Sequence, residues 1–204
     1  MTDLEFSAFL VSRVCHDLVG PLGAVVNGLE VLEDERDAAM RADALKIVTS
    51  SAAQALARLQ FMRLAFGAAG SAGAELDLGE VGRLIGGLFE TGRITLEWEP
   101  QHSQWPKDWA KLLMNAVLIG ADCLPRGGVV RVEAAAFGEA PGFKVTASGV
   151  GARVSEDVAR ALKGEVSEHD ARGVQPVLTF RLAKVVNAGL TITPLEGRVE
   201  LVAG

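Results

Sequence analysis

The chain has 204 residues, 20 basic against 26 acidic, a formal charge of −6 and 49% apolar side chains. That length allows one or two domains, and that apolar share excludes global disorder. The negative balance argues against a nucleic-acid grip, which needs clustered Lys and Arg, and two distant cysteines, Cys15 and Cys123, make neither a disulfide framework nor a zinc ribbon.

The first predicted element covers residues 4–32. Val11, Cys15, Leu18, Leu22, Val25, Leu29 and Leu32 follow at spacings of 4, 3, 4, 3, 4 and 3, which lays one apolar seam down a helix. Pro21 has no N–H and predicts a kink near residues 17–21. The polar run 33–37 predicts a turn. Residues 38–66 repeat the pattern with Val48, Ala52, Ala55, Leu59, Met62 and Phe66. Two long helices across a short link predict an antiparallel hairpin. Val14, Val26, Leu45 and Leu56 add apolar residues beside the seams. One hairpin cannot enclose them all, so a homodimer of two hairpins forming a four-helix bundle is expected. No apolar run reaches the ~18 residues of a membrane span, and the N-terminus lacks a positively charged leader. The expectation is therefore a cytoplasmic protein without a membrane partner.

Residues 67–74 are Gly, Ala and Ser and predict the boundary between domains at 1–69 and 75–204. Asp77 and Glu80 are spaced to cap a helix reaching Phe89. Ile94, Leu96 and Trp98 alternate as a strand, and Pro106 opens a helix to about Leu124. Strands follow at 129–136 and 143–148. Ser155 caps a short helix to Lys163, a loop covers 164–173 and a helix covers about 175–187. A hairpin at 190–193 and 197–202 ends the chain. The fold class is α+β: a helical hairpin followed by an α/β sandwich.

His16 is the residue with most chemical promise. It is one residue past Cys15, a rotation of about 100°, so it projects from the flank of the bundle. An exposed neutral imidazole is a competent nucleophile, and Asp17 beside it can fix the tautomer or take the proton. Arg13 lies one turn earlier. His102 and His169 have no metal-ligand spacing to each other or to a cysteine. Cys15 in the seam and Cys123 at a helix end are expected to be packed, as are Trp98, Trp105 and Trp109.

Val14-Cys15-His16-Asp17-Leu18-Val19-Gly20-Pro21-Leu22 resembles the phospho-acceptor box of histidine kinases. Residues 12–30 as a whole, with Asn27-Gly28-Leu29-Glu30, are more narrowly similar to the alphaproteobacterial histidine phosphotransferases. The second half resembles the kinase ATPase fold at Leu112-Leu113-Met114-Asn115-Ala116 and at Leu124-Pro125-Arg126-Gly127-Gly128. It departs where kinases read adenine with an Asp: the stretch here is Ala147-Ser148-Gly149-Val150-Gly151, and alanine has no acceptor. The glycine-rich phosphate loop is also missing, with Gly173-Val174-Gln175-Pro176-Val177 in its place. Asn115 stands where kinases hold Mg²⁺.

The resemblance implies a phosphorelay rather than a kinase. His16 takes a phosphoryl group from a response-regulator receiver domain, such as that of a hybrid kinase, and passes it to a downstream regulator. Asp17 orients the ring or accepts its proton, and Arg13 steadies the phosphoryl group. The apolar flank at Val19, Leu22 and Val26 docks the receiver. No cofactor or metal is bound by this chain; the receiver brings the Mg²⁺. Gly20, four residues after the histidine, has no side chain with which to aim a hydrolytic water. The rival readings are an ATP-dependent histidine kinase with a degenerate loop and a non-catalytic dimeric adaptor for receivers.

Overall fold

The computed structural model describes residues 2–67, 74–90, 92–100, 104–135, 140–165 and 173–204. Helix α1 (Asp3–Asp34) opens on a reciprocal capping box: Glu5 N–H donates to the Thr2 hydroxyl at 3.2 Å, and Thr2 N–H donates to the Glu5 carboxylate at 2.7 Å. It runs unbroken through Pro21. Residues 35–37 turn the chain, and Asp37 caps α2 (Ala38–Ala65) by accepting from the N–H groups of Ala39 and Met40, both at 2.9 Å. Arg41 donates back to the carbonyl of Leu32 in the last turn of α1 and to that of Glu35 just beyond it. The expected antiparallel hairpin is present.

Its packing seam keeps alternate positions of the expected one and exposes the others. The inward face of α1 carries Val14, Leu18, Pro21, Val25, Gly28 and Leu32, while Val11, Cys15, Leu22 and Leu29 are exposed. On α2 the buried or half-buried positions include Ala44, Val48, Ser51, Ala55, Arg58, Met62 and Ala65, and Ala52 and Leu59 face out. The cause is small residues. A Cβ at Gly28 would sit 2.6 Å from Val48 Cγ2, so the helices approach this closely only because that position is glycine and Ala44 lies opposite. A count of large apolar residues does not register that contact. The second seam, left outside, forms a stripe along α1: Leu4, Val11, Cys15, Val19, Leu22, Val26 and Leu29.

The rest of the described chain comprises β1 (Glu75–Asp77), α3 (Leu78–Phe89), β2 (Ile94–Trp98), β3 (Gln104–Pro106), α4 (Lys107–Asp122), β4 (Gly128–Ala134), β5 (Phe143–Ser148), α5 (Glu156–Ala161), α6 (Val174–Val185), β6 (Leu190–Leu195) and β7 (Arg198–Ala203). The main sheet has the order β2-β4-β5-β7-β6, with β2 parallel to β4 and the other pairs antiparallel. β1 and β3 pair as a separate antiparallel ribbon. Among the described residues the expected helices and strands are present within a few residues, and only this ribbon was not anticipated, because three-residue strands carry no periodicity; most of the expected linker at 67–74 and of the expected loop at 164–173 lies outside the described residues.

Helix α4 is the centre of the core. Leu112, Leu113, Met114, Ala116 and Val117 are all fully buried. A helix apolar on every side must be covered on every side; here the cover is the sheet, α3, α6 and the end of α2. Phe61, Met62 and Ala65 of α2 belong to the same buried cluster as α4 and the sheet. Near the start of α1, Arg181 of α6 pairs with Asp3 at 3.0 Å and lies 4.2 Å from the centre of the Phe6 ring. The hairpin is thus held against the α/β part at two places. α1 is also long and apolar enough to cross a bilayer, with mean hydropathy 1.4 over its most apolar stretch.

Candidate functional site

His16 projects from α1 with 65% of its side chain exposed, against 23% for Asp17. Its Nδ1 lies 3.1 Å from Asp17 Oδ1. A carboxylate offers only acceptors, so this contact assigns the hydrogen to Nδ1 and leaves the Nε2 lone pair available. The other carboxylate oxygen, Oδ2, accepts from Arg13 Nε at 2.8 Å, one helical turn back.

The main-chain carbonyl of Asp17 is also held. In a continuous helix it would accept from the N–H of residue 21, but proline has none. Arg58 of α2 supplies the missing donor, its Nη1 reaching Asp17 O at 2.8 Å. Asp17 is therefore fixed at both carboxylate oxygens and at its carbonyl.

An open depression of about 460 Å³ lies beside His16, lined also by Asp17, Val19, Gly20, Pro21 and Arg58. A Cβ on Gly20 would meet nothing within 4 Å, so that glycine leaves room beside the imidazole. Behind Asp17, a cavity of about 350 Å³ separates the hairpin from the α/β part, with Arg13, Asp17, Arg58, Phe61 and Asp122 in its wall. Burial pushes the Asp122 carboxyl above its ordinary value; Arg13 opposes this and Asp17 adds to it.

The structure thus brings His16, Asp17 and Val19 to one depression. It ties Arg13 to Asp17 but turns it toward the cavity behind. Leu22 and Val26, 50% and 54% exposed, extend the apolar stripe away from Val19. Sequence reasoning missed Arg58, which is 41 residues from its partner. The one signal was Pro21, whose missing N–H demands a donor from elsewhere. Cys15, expected in the packed seam, is exposed; Cys123 is buried, and burial followed by the Asp122 charge pushes its thiol up to about 11. Trp105 is buried and Trp98 and Trp109 are half-buried. His102 and His169 lie outside the described residues.

The positions that resemble a nucleotide site are otherwise engaged. Asn115 is fully buried, and its Nδ2 donates to Ala65 O at 3.2 Å and to Lys111 O at 2.9 Å. It joins α4 to the last turn of α2. Ala147 is buried within β5, between Val130 of β4 and Val199 of β7. Among the described residues no group of three or more His, Cys, Asp or Glu is placed to hold a metal ion.

An exposed imidazole braced by a carboxylate on a helical hairpin, backed by an α/β domain without an adenine-reading acid, defines a phosphotransfer protein rather than an ATP-using kinase. Residues 78–197 match the family of the histidine phosphotransferase C-terminal domain. The chain is similar to the protein phosphotransferase ChpT of Brucella abortus (strain 2308), with 39% identity over 195 residues covering 95% of this chain and 91% of that one. It is similar to a bacterial phosphotransferase solved at 1.7 Å, with 35% identity and a TM-score of 0.89 over 100% of this chain and 98% of the other. The histidine kinase domain of the blue-light activated kinase EL346 of Erythrobacter litoralis is more distant, at 15% identity and a TM-score of 0.47 over 89% of this chain and 94% of that one. The chain belongs to the histidine phosphotransferase family.

Proposed function

We propose that this protein relays phosphoryl groups between response-regulator receiver domains through His16. The observation that carries the reading is the His16–Asp17 pair: one exposed ring nitrogen is unencumbered while the other is held by a fixed carboxylate. The Nε2 lone pair attacks the phosphorus of a receiver's aspartyl phosphate. The bond from phosphorus to the aspartyl oxygen breaks, and its electron pair leaves with the receiver carboxylate. The ring becomes a phosphoimidazolium whose Nδ1–H stays on Asp17, so no proton need depart. The reverse step onto a second receiver regenerates the free ring. Phosphoryl transfer depends mainly on positioning and charge neutralisation, so an imidazole, a docking face and the receiver's own Mg²⁺ suffice. The docking face is the flank beside His16, from Val19 toward Leu22 and Val26. Incubation with a phosphorylated receiver tests this: acid-labile, alkali-stable phosphate is expected on the protein, and its absence would refute the relay.

The same reading includes a homodimer and a cytoplasmic location. Outside the docking flank, Leu4, Val11, Cys15 and Leu29 of α1, with Leu45, Ala52, Leu56 and Leu59 on α2, are more apolar surface than a monomer ordinarily leaves in water. Two copies joined along it make the four-helix bundle, which also accounts for the apolarity of α1 without a membrane. Sedimentation at micromolar concentration is expected to give about twice 21.4 kDa. Leu29 and Leu59 are 47% and 48% exposed in the single chain, so Leu29→Asp and Leu59→Asp should fold yet sediment as monomers. A monomeric wild type would overturn the dimer.

No binding of Mg-ATP at physiological concentration is expected. With Ala147 at the adenine position, the buried amine of the base would lack an acceptor, costing about 1–3 kcal/mol. Asn115 is committed to two carbonyls. Titration calorimetry giving a dissociation constant of about 1 mM or tighter would favour the kinase reading instead.

A further inference from the structure

Two arginines stand near His16, and their surroundings differ. The Arg13 guanidinium is paired with the Asp17 carboxylate at 2.8 Å, and its charge is answered there. Arg58 meets only a neutral carbonyl, that of Asp17, through Nη1. Among the described residues it makes no ion pair, and its Nε and Nη2 have no hydrogen-bond partner. It lines the same depression as His16 as well as the cavity behind Asp17, and Gly20, in the wall of the depression, contributes no side chain to fill it. Arg13 does not line that depression.

We propose that Arg58 is the phosphoryl-binding residue of the site. One edge of its guanidinium replaces the helical hydrogen bond that Pro21 removes, which anchors it one residue from His16. The remaining N–H groups are then within the wall of the depression and free to donate to a phosphoryl group on Nε2. A planar guanidinium held at one nitrogen is pre-organised to donate to phosphate oxygens with the others. This gives Pro21 a second use: its missing N–H leaves vacant the carbonyl that orients the cation. The inference rests on the relay through His16, and it places the charge-neutralising role on Arg58 rather than Arg13.

The full chain would be compared with Arg58→Gln, Arg58→Ala and Arg58→Lys in two measurements. In single-turnover transfer from a saturating phosphorylated receiver, the rate is expected to fall about 10²-fold or more in the Gln and Ala variants. Receiver affinity should change less than about threefold, and Lys should restore part of the rate by supplying charge without the fork. In the second, the protein is loaded with phosphoramidate and the ³¹P signal that disappears in His16→Ala is titrated. A phosphoryl group ionises a second time near pH 6, and an adjacent guanidinium favours the dianion. The midpoint in wild type is therefore expected to lie about half a unit or more below that in Arg58→Gln. Matching midpoints would overturn the proposal even if the variants were slow or less stable, because a purely structural arginine does not move the titration. Failure of the wild type itself to accept phosphate on His16 would instead refute the relay reading.

Discussion

Replacing His16 by alanine is expected to remove all acid-labile phosphate that the protein would take from a receiver and to leave its fold intact. The loss is complete because the attacking atom goes. Asp17 cannot replace it, since its side chain is only 23% exposed and stays paired with Arg13, and a phosphorylated carboxylate would be alkali-labile. The fold survives because the imidazole is 65% exposed and bonded only to its neighbour, so the stability change should stay within about 0.5 kcal/mol. Denaturant melts of the variant should overlay those of wild type, and far-UV circular dichroism should be unchanged. His102→Ala and His169→Ala should load normally. Phosphate retained on His16→Ala would move the phosphoacceptor elsewhere and sink the assignment.

Much of this architecture was legible in the sequence. The hairpin was, because thirty-residue stretches with 3- and 4-residue apolar spacing admit few other folds. So was the α/β part, where Asp77, Pro106, Ser155 and Gly197 mark ends and turns by local rules that tertiary packing seldom overrides. The seam was half right: Leu18, Val25, Leu32, Val48, Ala55 and Met62 face inward as expected, and Val11, Cys15, Leu22, Leu29, Ala52 and Leu59 do not. α1 carries two apolar stripes, and spacing alone cannot say which one faces α2; Gly28 and Ala44 decide it by letting the backbones approach. The site was half legible. His16 and Asp17 are sequence neighbours, and Arg13 is one turn away, so their contacts follow from helix geometry. Arg58 reaches the site only through the register of α2 against α1, which no local pattern encodes. Asn115 was legible as a residue of consequence. Its partners were not, because Ala65 O becomes its acceptor only once α2 is laid across α4.

That last contact sets the second large effect. In Asn115→Asp, a group that donates to Ala65 O and Lys111 O becomes an acceptor facing two acceptors at a fully buried position. Above neutral pH the variant must bury an unpaired charge, or hold a proton against the solution. Destabilisation of about 3 kcal/mol or more at pH 8 is expected. The dependence on pH has a definite sign. Burial and the two carbonyls raise the folded-state carboxyl above its ordinary value of about 3.9, so the folded form binds more protons than the unfolded one. Stability relative to wild type is therefore greatest below about pH 4 and is lost as pH rises through the folded-state value. Urea melts of both proteins from pH 4.5 to pH 8 are expected to diverge steadily. The same variant separates the two histories open to this asparagine. If it kept the metal-binding role that its place in the kinase-like pattern suggests, aspartate would be the better Mg²⁺ ligand, and millimolar Mg²⁺ would recover the lost stability. If it now serves to join α4 to the end of α2, Mg²⁺ does nothing. Acid restores the variant, because a protonated carboxyl can again donate to one of the two carbonyls. Recovery by Mg²⁺ at pH 8 would show that the nucleotide side of the domain is less altered than the packing of Asn115 against Ala65 implies.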